Sequence, residues 1–172
     1  MANKNRFHIG FLRVAHSDLG FVGGLLVTNH LGRPLEFQCT TPVRPNKTQE
    51  ILYGPTLQPF LYSELIGKTL IERLNVKPDV VIVQQESLLD LRREIETPVV
   101  CVVTGDHSSD DLPDQVCLQL GSEKVRLHNE FLDDAQKLES AQKVVPGNAD
   151  LSEPLERVKE ALQETLRAGA VA

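Results

Sequence analysis

Two uninterrupted apolar runs constrain this chain more than any other feature. Residues 80–84 read VVIVQ and residues 98–104 read PVVCVVT. A strand with one face in water alternates apolar and polar residues. A run that is apolar at every position suits a strand buried on both faces. Between the runs, Ser87 is a good helix-capping residue, and a helical pattern follows from Leu88 to Ile95. Strand, helix and strand in that order predict a right-handed βαβ unit with parallel strands.

Upstream, three strands follow one another with only turns between them. Phe7–Val14 (FHIGFLRV) is the first, and Phe21–Asn29 is nearly all apolar and therefore central. Leu35–Thr41 (LEFQCTT) is the third, with Leu35, Phe37 and Cys39 on one face. The Asn29–Arg33 segment is a hairpin turn in which Gly32 supplies a positive φ. The Gly23-Gly24 pair inside the second strand predicts a bulge or a close backbone approach. Pro42 and Pro45 end the third strand and stiffen the loop that follows. Thr48 caps a short turn to Tyr53, and Thr56 caps a longer helix, Leu57–Leu74. The apolar set of that helix is Leu57, Phe60, Leu61, Leu65, Leu70, Ile71 and Leu74.

Beyond the βαβ unit lies an acidic loop, GDHSSDDLPDQ. A strand is expected at Val116–Leu120 and a helix at Glu130–Val144. Ser152 caps a last amphipathic helix, with Leu155, Val158, Leu162 and Leu166 on one face. The expected organisation is an α/β core domain at 1–122 and a C-terminal helical extension at 123–172, packed on the core. The fold class is α/β: a mixed sheet with an N-terminal antiparallel three-strand meander, then βαβ units, then C-terminal helices. Over roughly residues 7–105 this element order is similar to the ribonuclease-H-like architecture. The resemblance implies a metal-dependent nuclease, with one carboxylate on the first strand and another at the end of the first parallel strand. Glu86 fills the second place. The first strand contains no acid, and the nearest, Asp18, lies in the turn after it.

Several functions are argued against directly. The net charge of −6 weighs against nucleic acid, because such binding leans on Lys and Arg neutralising phosphates. The three cysteines, Cys39, Cys101 and Cys117, form no CxxC pair, so a zinc knuckle is rejected. They read as buried, reduced thiols. Gly67-Lys68-Thr69 is not a phosphate-binding loop, because Tyr62 stands where the first glycine should be. The N-terminal MANKNRFHIGF has no apolar signal region, and no apolar run reaches the ~18 residues of a membrane span. The expectation is a soluble cytoplasmic protein with no membrane partner.

Candidate site residues fall in two places. Arg44 and Lys47 in PVRPNKT suit an anion site beside a helix N-terminus, and Tyr53 in ILYG suits an interface anchor. Glu86, Asp106 and His107 belong to the rim beyond the carboxyl ends of the parallel strands, where open α/β sheets bind ligands. Asp110 and Asp111 extend that rim, which could hold a cation or position a water. Cys39 with His8, His16 or His30 could form a nucleophile–base pair, but burial on the Leu35 and Phe37 face argues against it. No catalytic set is complete. The sequence therefore points to a non-catalytic protein-interaction or oligomerising module without a cofactor, its partner another protein or a second copy. Two alternatives stand beside it: a metal-dependent phosphoester hydrolase of ribonuclease-H-like type using Glu86, Asp106 and Asp18, and a binding domain for a small phosphorylated ligand at Arg44 and Lys47.

Overall fold

The computed structural model describes residues 6–104 and 116–171. The two apolar runs form the paired strands β4 (Val80–Val83) and β5 (Val99–Val102), parallel to each other. On β4, Val80 and Ile82 pack into one core and Val81 and Val83 into the other, so every residue of the strand is buried. The first three strands are β1 (His8–Ser17), β2 (Gly20–Asn29) and β3 (Pro34–Cys39), joined as the expected antiparallel meander. β1 pairs in parallel with β4, with Ile9 opposite Val80 and Phe11 opposite Ile82. Two more strands, β6 (Cys117–Leu120) and β7 (Glu123–Leu127), complete a sheet of order β3-β2-β1-β4-β5-β7-β6.

β7 was not foreseen. Its EKVRL reads as a charged surface segment, yet alternation buries Val125 and Leu127. It pairs antiparallel with β5 and so extends the sheet into the stretch expected to be wholly helical.

Helices cover both faces. On one, α6 (Ser152–Val171) lays Leu155, Val158 and Leu162 over Phe11, Leu26 and Ile82. On the other lies a continuous helical run: α2 (Leu57–Pro59), a π-helical segment (Phe60–Gly67) and α3 (Lys68–Arg73). A 3-10 segment (Glu86–Arg93) packs beside it. The π segment shifts the helical phase. Tyr62 and Ile66 turn inward, while Leu65, expected in the core, is 39% exposed.

The two central glycines have separate purposes. A β-carbon on Gly23 would collide with Ile66 of the π segment, and one on Gly24 would meet Leu162 and Val158 of α6 at 3.0 Å. Adjacent strand residues point to opposite faces, so the pair admits one helix on each side.

Caps differ from expectation in detail. α1 (Lys47–Tyr53) is capped by Asn46, not Thr48: Asn46 Oδ1 accepts from Gln49 N–H at 2.8 Å and Gln49 Oε1 accepts from Asn46 N–H at 2.9 Å. Thr56 makes no side-chain cap bond, and the segment expected to begin after Ser87 begins at Glu86, with Gln85 at its N-cap and Ser87 inside it. The expected 130–144 helix is two short pieces, α4 (Asp134–Lys137) and α5 (Glu139–Val144). They are anchored by a buried ion pair, Arg92 Nε to Asp134 Oδ2 at 2.7 Å, with Arg92 lying 4.1 Å over the Phe131 ring. Among the described residues, no helix is long and apolar enough to cross a membrane.

Candidate functional site at the carboxyl edge of the sheet

Strands β1, β4 and β5 are parallel, so their carboxyl ends share one edge, and the chain leaves β4 there through Gln85 and Glu86. Gln85 turns back onto β1. Its Oε1 accepts from Val14 N–H at 2.8 Å and its Nε2 donates to Val14 C=O at 2.9 Å. The side-chain amide continues the parallel ladder past the last backbone pair. Next to Val14, Arg13 points to the α6 face, donating to Leu155 C=O at 3.4 Å and to Glu156 Oε1 at 3.1 Å.

Glu86 is exposed and faces the other side, where Arg126 Nη1 of β7 donates to its Oε1 at 3.3 Å. Register explains the meeting: Arg126 sits opposite Cys101 on β5, one strand from β4. Beyond them, His128 Nε2 contacts Asp90 Oδ1 at 3.1 Å while its Nδ1 accepts from Glu130 N–H at 3.1 Å. A ring nitrogen that accepts a backbone N–H carries no proton, so Nε2 is the donor to Asp90. Both nitrogens are committed, and His128 has none free to act as a base. Arg93 forks onto Glu130 at 2.8 and 3.0 Å.

These side chains wall an open cleft of about 410 Å³. A second cleft of about 540 Å³ continues from it, sharing Pro59, Asp90 and Arg93, and ends at Tyr53 and Phe60, whose rings stack at 4.7 Å. The π segment supplies Phe60, Ser63 and Glu64 to that second wall. Under the floor, burial pushes the Cys101 thiol up to about 11, with Arg126 pulling against the shift and Glu86 adding to it. Cys101 therefore stays a neutral thiol and is no nucleophile.

The sequence candidates separate. Tyr53 joins the Glu86 side through the shared cleft. Arg44 instead donates to Asp18 C=O, pinning the β1–β2 turn, and Lys47 lies 3.8 Å from Glu50 in the first turn of α1. Asp106, His107, Asp110 and Asp111 lie outside the described residues. Arg13, Gln85, Asp90, Arg93, Arg126 and His128 were not singled out from sequence. One signal was available: a lone arginine inside the apolar FHIGFLRV strand.

A ribonuclease-H-like nuclease implies paired divalent ions held by clustered carboxylates. The residues described do not fit that group. No three His, Cys, Asp or Glu side chains among them are placed to share a cation. β1 offers Arg13 at this edge, β4 is followed by a neutral amide, and Glu86 already faces a guanidinium.

No protein-family model matches the sequence, and no curated protein does. Solved structures do match the fold. Endonuclease V from Streptomyces avermitilis aligns with a TM-score of 0.58 at 11% identity, over 98% of this chain and 85% of that one. Endonuclease V from Ciona intestinalis, solved in complex with a DNA containing an inosine, gives 0.51 at 14% identity, over 94% and 86%. A protein of unknown function from Archaeoglobus fulgidus gives 0.53 at 12%, over 90% and 95%. This likeness shows the fold, the mixed α/β ribonuclease-H-like arrangement that the element order led us to expect.

It also corrects two expectations. The reading as a non-catalytic protein-interaction or oligomerising module gives way, since two of these three neighbours are endonucleases. The expectation against nucleic acid drawn from net charge falls with it, since one neighbour is solved on DNA. A net charge of −6 is a sum over the whole surface and does not describe one cleft.

Proposed function

We propose that this protein acts on nucleic acid, with the phosphodiester backbone as its target and phosphoester hydrolysis as its reaction class. The observation that carries the reading is the match of nearly the whole chain to endonucleases V, one of them bound to DNA. The clefts offer compatible chemistry. Arg93 and Arg126 place guanidinium forks on the wall, a geometry that suits phosphate oxygens. The stacked Tyr53 and Phe60 offer aromatic surface of the kind on which bases stack. The carboxylates that now hold the two arginines, Glu130 and Glu86, are 60% and 66% exposed. Exposed pairs are worth about 0–1 kcal/mol, so a phosphate can displace them. A cytoplasmic location belongs to the same proposal and is consistent with three free cysteines.

The test is a panel of fluorescent single-stranded and duplex DNA and RNA, inosine-containing strands included, followed by anisotropy and by denaturing gels. The expected result is binding that weakens with salt, with the slope reduced by about 1 in Arg126→Ala, and scission of the backbone. Failure to bind or cut any member of the panel overturns the reading.

A further inference from the structure

We infer that the described side chains at the carboxyl edge of β1 and β4 hold no divalent cation among them, and that the protein engages nucleic acid without a cation held there; the second half rests on the nucleic-acid reading above. Four side chains carry the inference: Gln85, Arg13, Glu86 and Arg126.

Gln85 occupies the position where the chain leaves β4, and both polar atoms of its amide are spent on Val14. The Nε2 group is a donor and cannot ligate a cation. A carboxylate at this position would set an anion against Val14 C=O, so the fold here is built for an amide. Arg13, adjacent to Val14, puts a permanent positive charge at the same edge and is only 21% exposed on its side chain. Its guanidinium also takes up Glu156, the carboxylate that α6 brings to it. Glu86 is left, and Arg126 faces it at 3.3 Å. Magnesium and manganese need several oxygen ligands and a net negative surround. Among the described residues the end of β4 offers an amide already in use and one carboxylate, Glu86, that faces Arg126, while Arg13 fills the α6 face of the same edge with positive charge and Asp18 lies in the turn past β1.

The experiment uses the full chain. Manganese chloride is titrated calorimetrically into the protein, and anisotropy with a single-stranded and a duplex DNA oligonucleotide is run in EDTA and in magnesium or manganese chloride at matched ionic strength. The expected result is no saturable manganese heat up to millimolar concentration and dissociation constants that agree within twofold across the buffers. A tenfold or greater tightening with either metal overturns the inference, and so does saturable manganese binding that Glu86→Gln abolishes. Metal-dependent cleavage lost in Glu86→Gln also overturns it, while upholding the nucleic-acid reading. If no oligonucleotide binds in any buffer, the nucleic-acid reading fails and the second half of the inference falls with it, and the manganese titration alone decides the first half.

Discussion

Gln85 grips Val14 by both polar atoms of one backbone residue, with its amide oxygen 2.8 Å from Val14 N and its amide nitrogen 2.9 Å from Val14 O. Through this contact a side chain on the loop after β4 takes the place of a further rung of β-ladder. Val14 itself is 4% exposed, so its backbone groups depend on that amide.

Replacing the amide separates the two bonds. Gln85→Leu leaves both Val14 groups without this partner and is expected to destabilise the protein by about 1–3 kcal/mol. Gln85→Glu keeps an acceptor for Val14 N–H but loses the donor and repels Val14 C=O. Urea unfolding should rank wild type above both variants; equal midpoints would show that the amide is dispensable.

Gly23 faces the π segment so closely that a β-carbon would strike Ile66. Gly23→Ala is expected to destabilise by about 1–3 kcal/mol through overpacking. In an Ile66→Ala background the Gly23→Ala loss should be smaller, because removing the Ile66 branch opens the space. Thermal unfolding of the two single variants and the double variant checks this, and an equal loss in both backgrounds would place the strain elsewhere.

The Arg92–Asp134 pair is buried, with side chains 10% and 4% exposed. Asp134→Ala leaves a buried guanidinium without its carboxylate and is expected to lose about 3–5 kcal/mol. Arg92 keeps its bond to Ile95 C=O, so the 3-10 segment is held while α4 is released. Amide hydrogen exchange should report loss of protection around 134–144 before the sheet.

Two carboxyl groups meet at the start of α6. Burial raises the Glu123 carboxyl above 4.5, and its hydrogen bond with Asp150 adds to the shift. The same hydrogen bond, with the N–H groups of Ser152 and Glu153, lowers Asp150 below 3.8. Of the two carboxyl groups, Glu123 is therefore the one that holds a proton to higher pH. A carboxyl raised in the folded state stabilises below its unfolded value, and that contribution is lost as pH rises through the folded value. Asp150 has the opposite sign: its contribution is present above 3.8 and lost as pH falls. Above 4.5, wild type should lose stability relative to Glu123→Gln, whose amide has no proton to release. Denaturation midpoints measured across that window test the sign, and parallel curves for the two proteins would contradict it.

Local signals made much of the fold legible. The runs at 80–84 and 98–104 could be satisfied only between two layers, and Gly23-Gly24 marked where both layers come close. Gly32, with φ +86°, closes the second hairpin at the place its type predicted. The candidate site was less legible. Glu86 could be named because the end of a parallel strand is visible in a sequence, and Tyr53 because it stands in an apolar tetrad. Arg126 could not, because its meeting with Glu86 depends on β7 pairing with β5, and EKVRL carries too little apolar pattern to announce a strand.

By itself, then, the sequence determined the mixed sheet, the order of the meander and the βαβ unit, and the absence of an acid on the first strand, because strand pattern and residue identity are local properties. Only the tertiary structure decided that Arg13 pairs with Glu156, that Gln85 is spent on Val14, and that Arg126 faces Glu86. Each of those contacts joins residues 40 or more positions apart in the chain. They depend on sheet order and helix packing, and side-chain chemistry at such distances is set by which strands become neighbours.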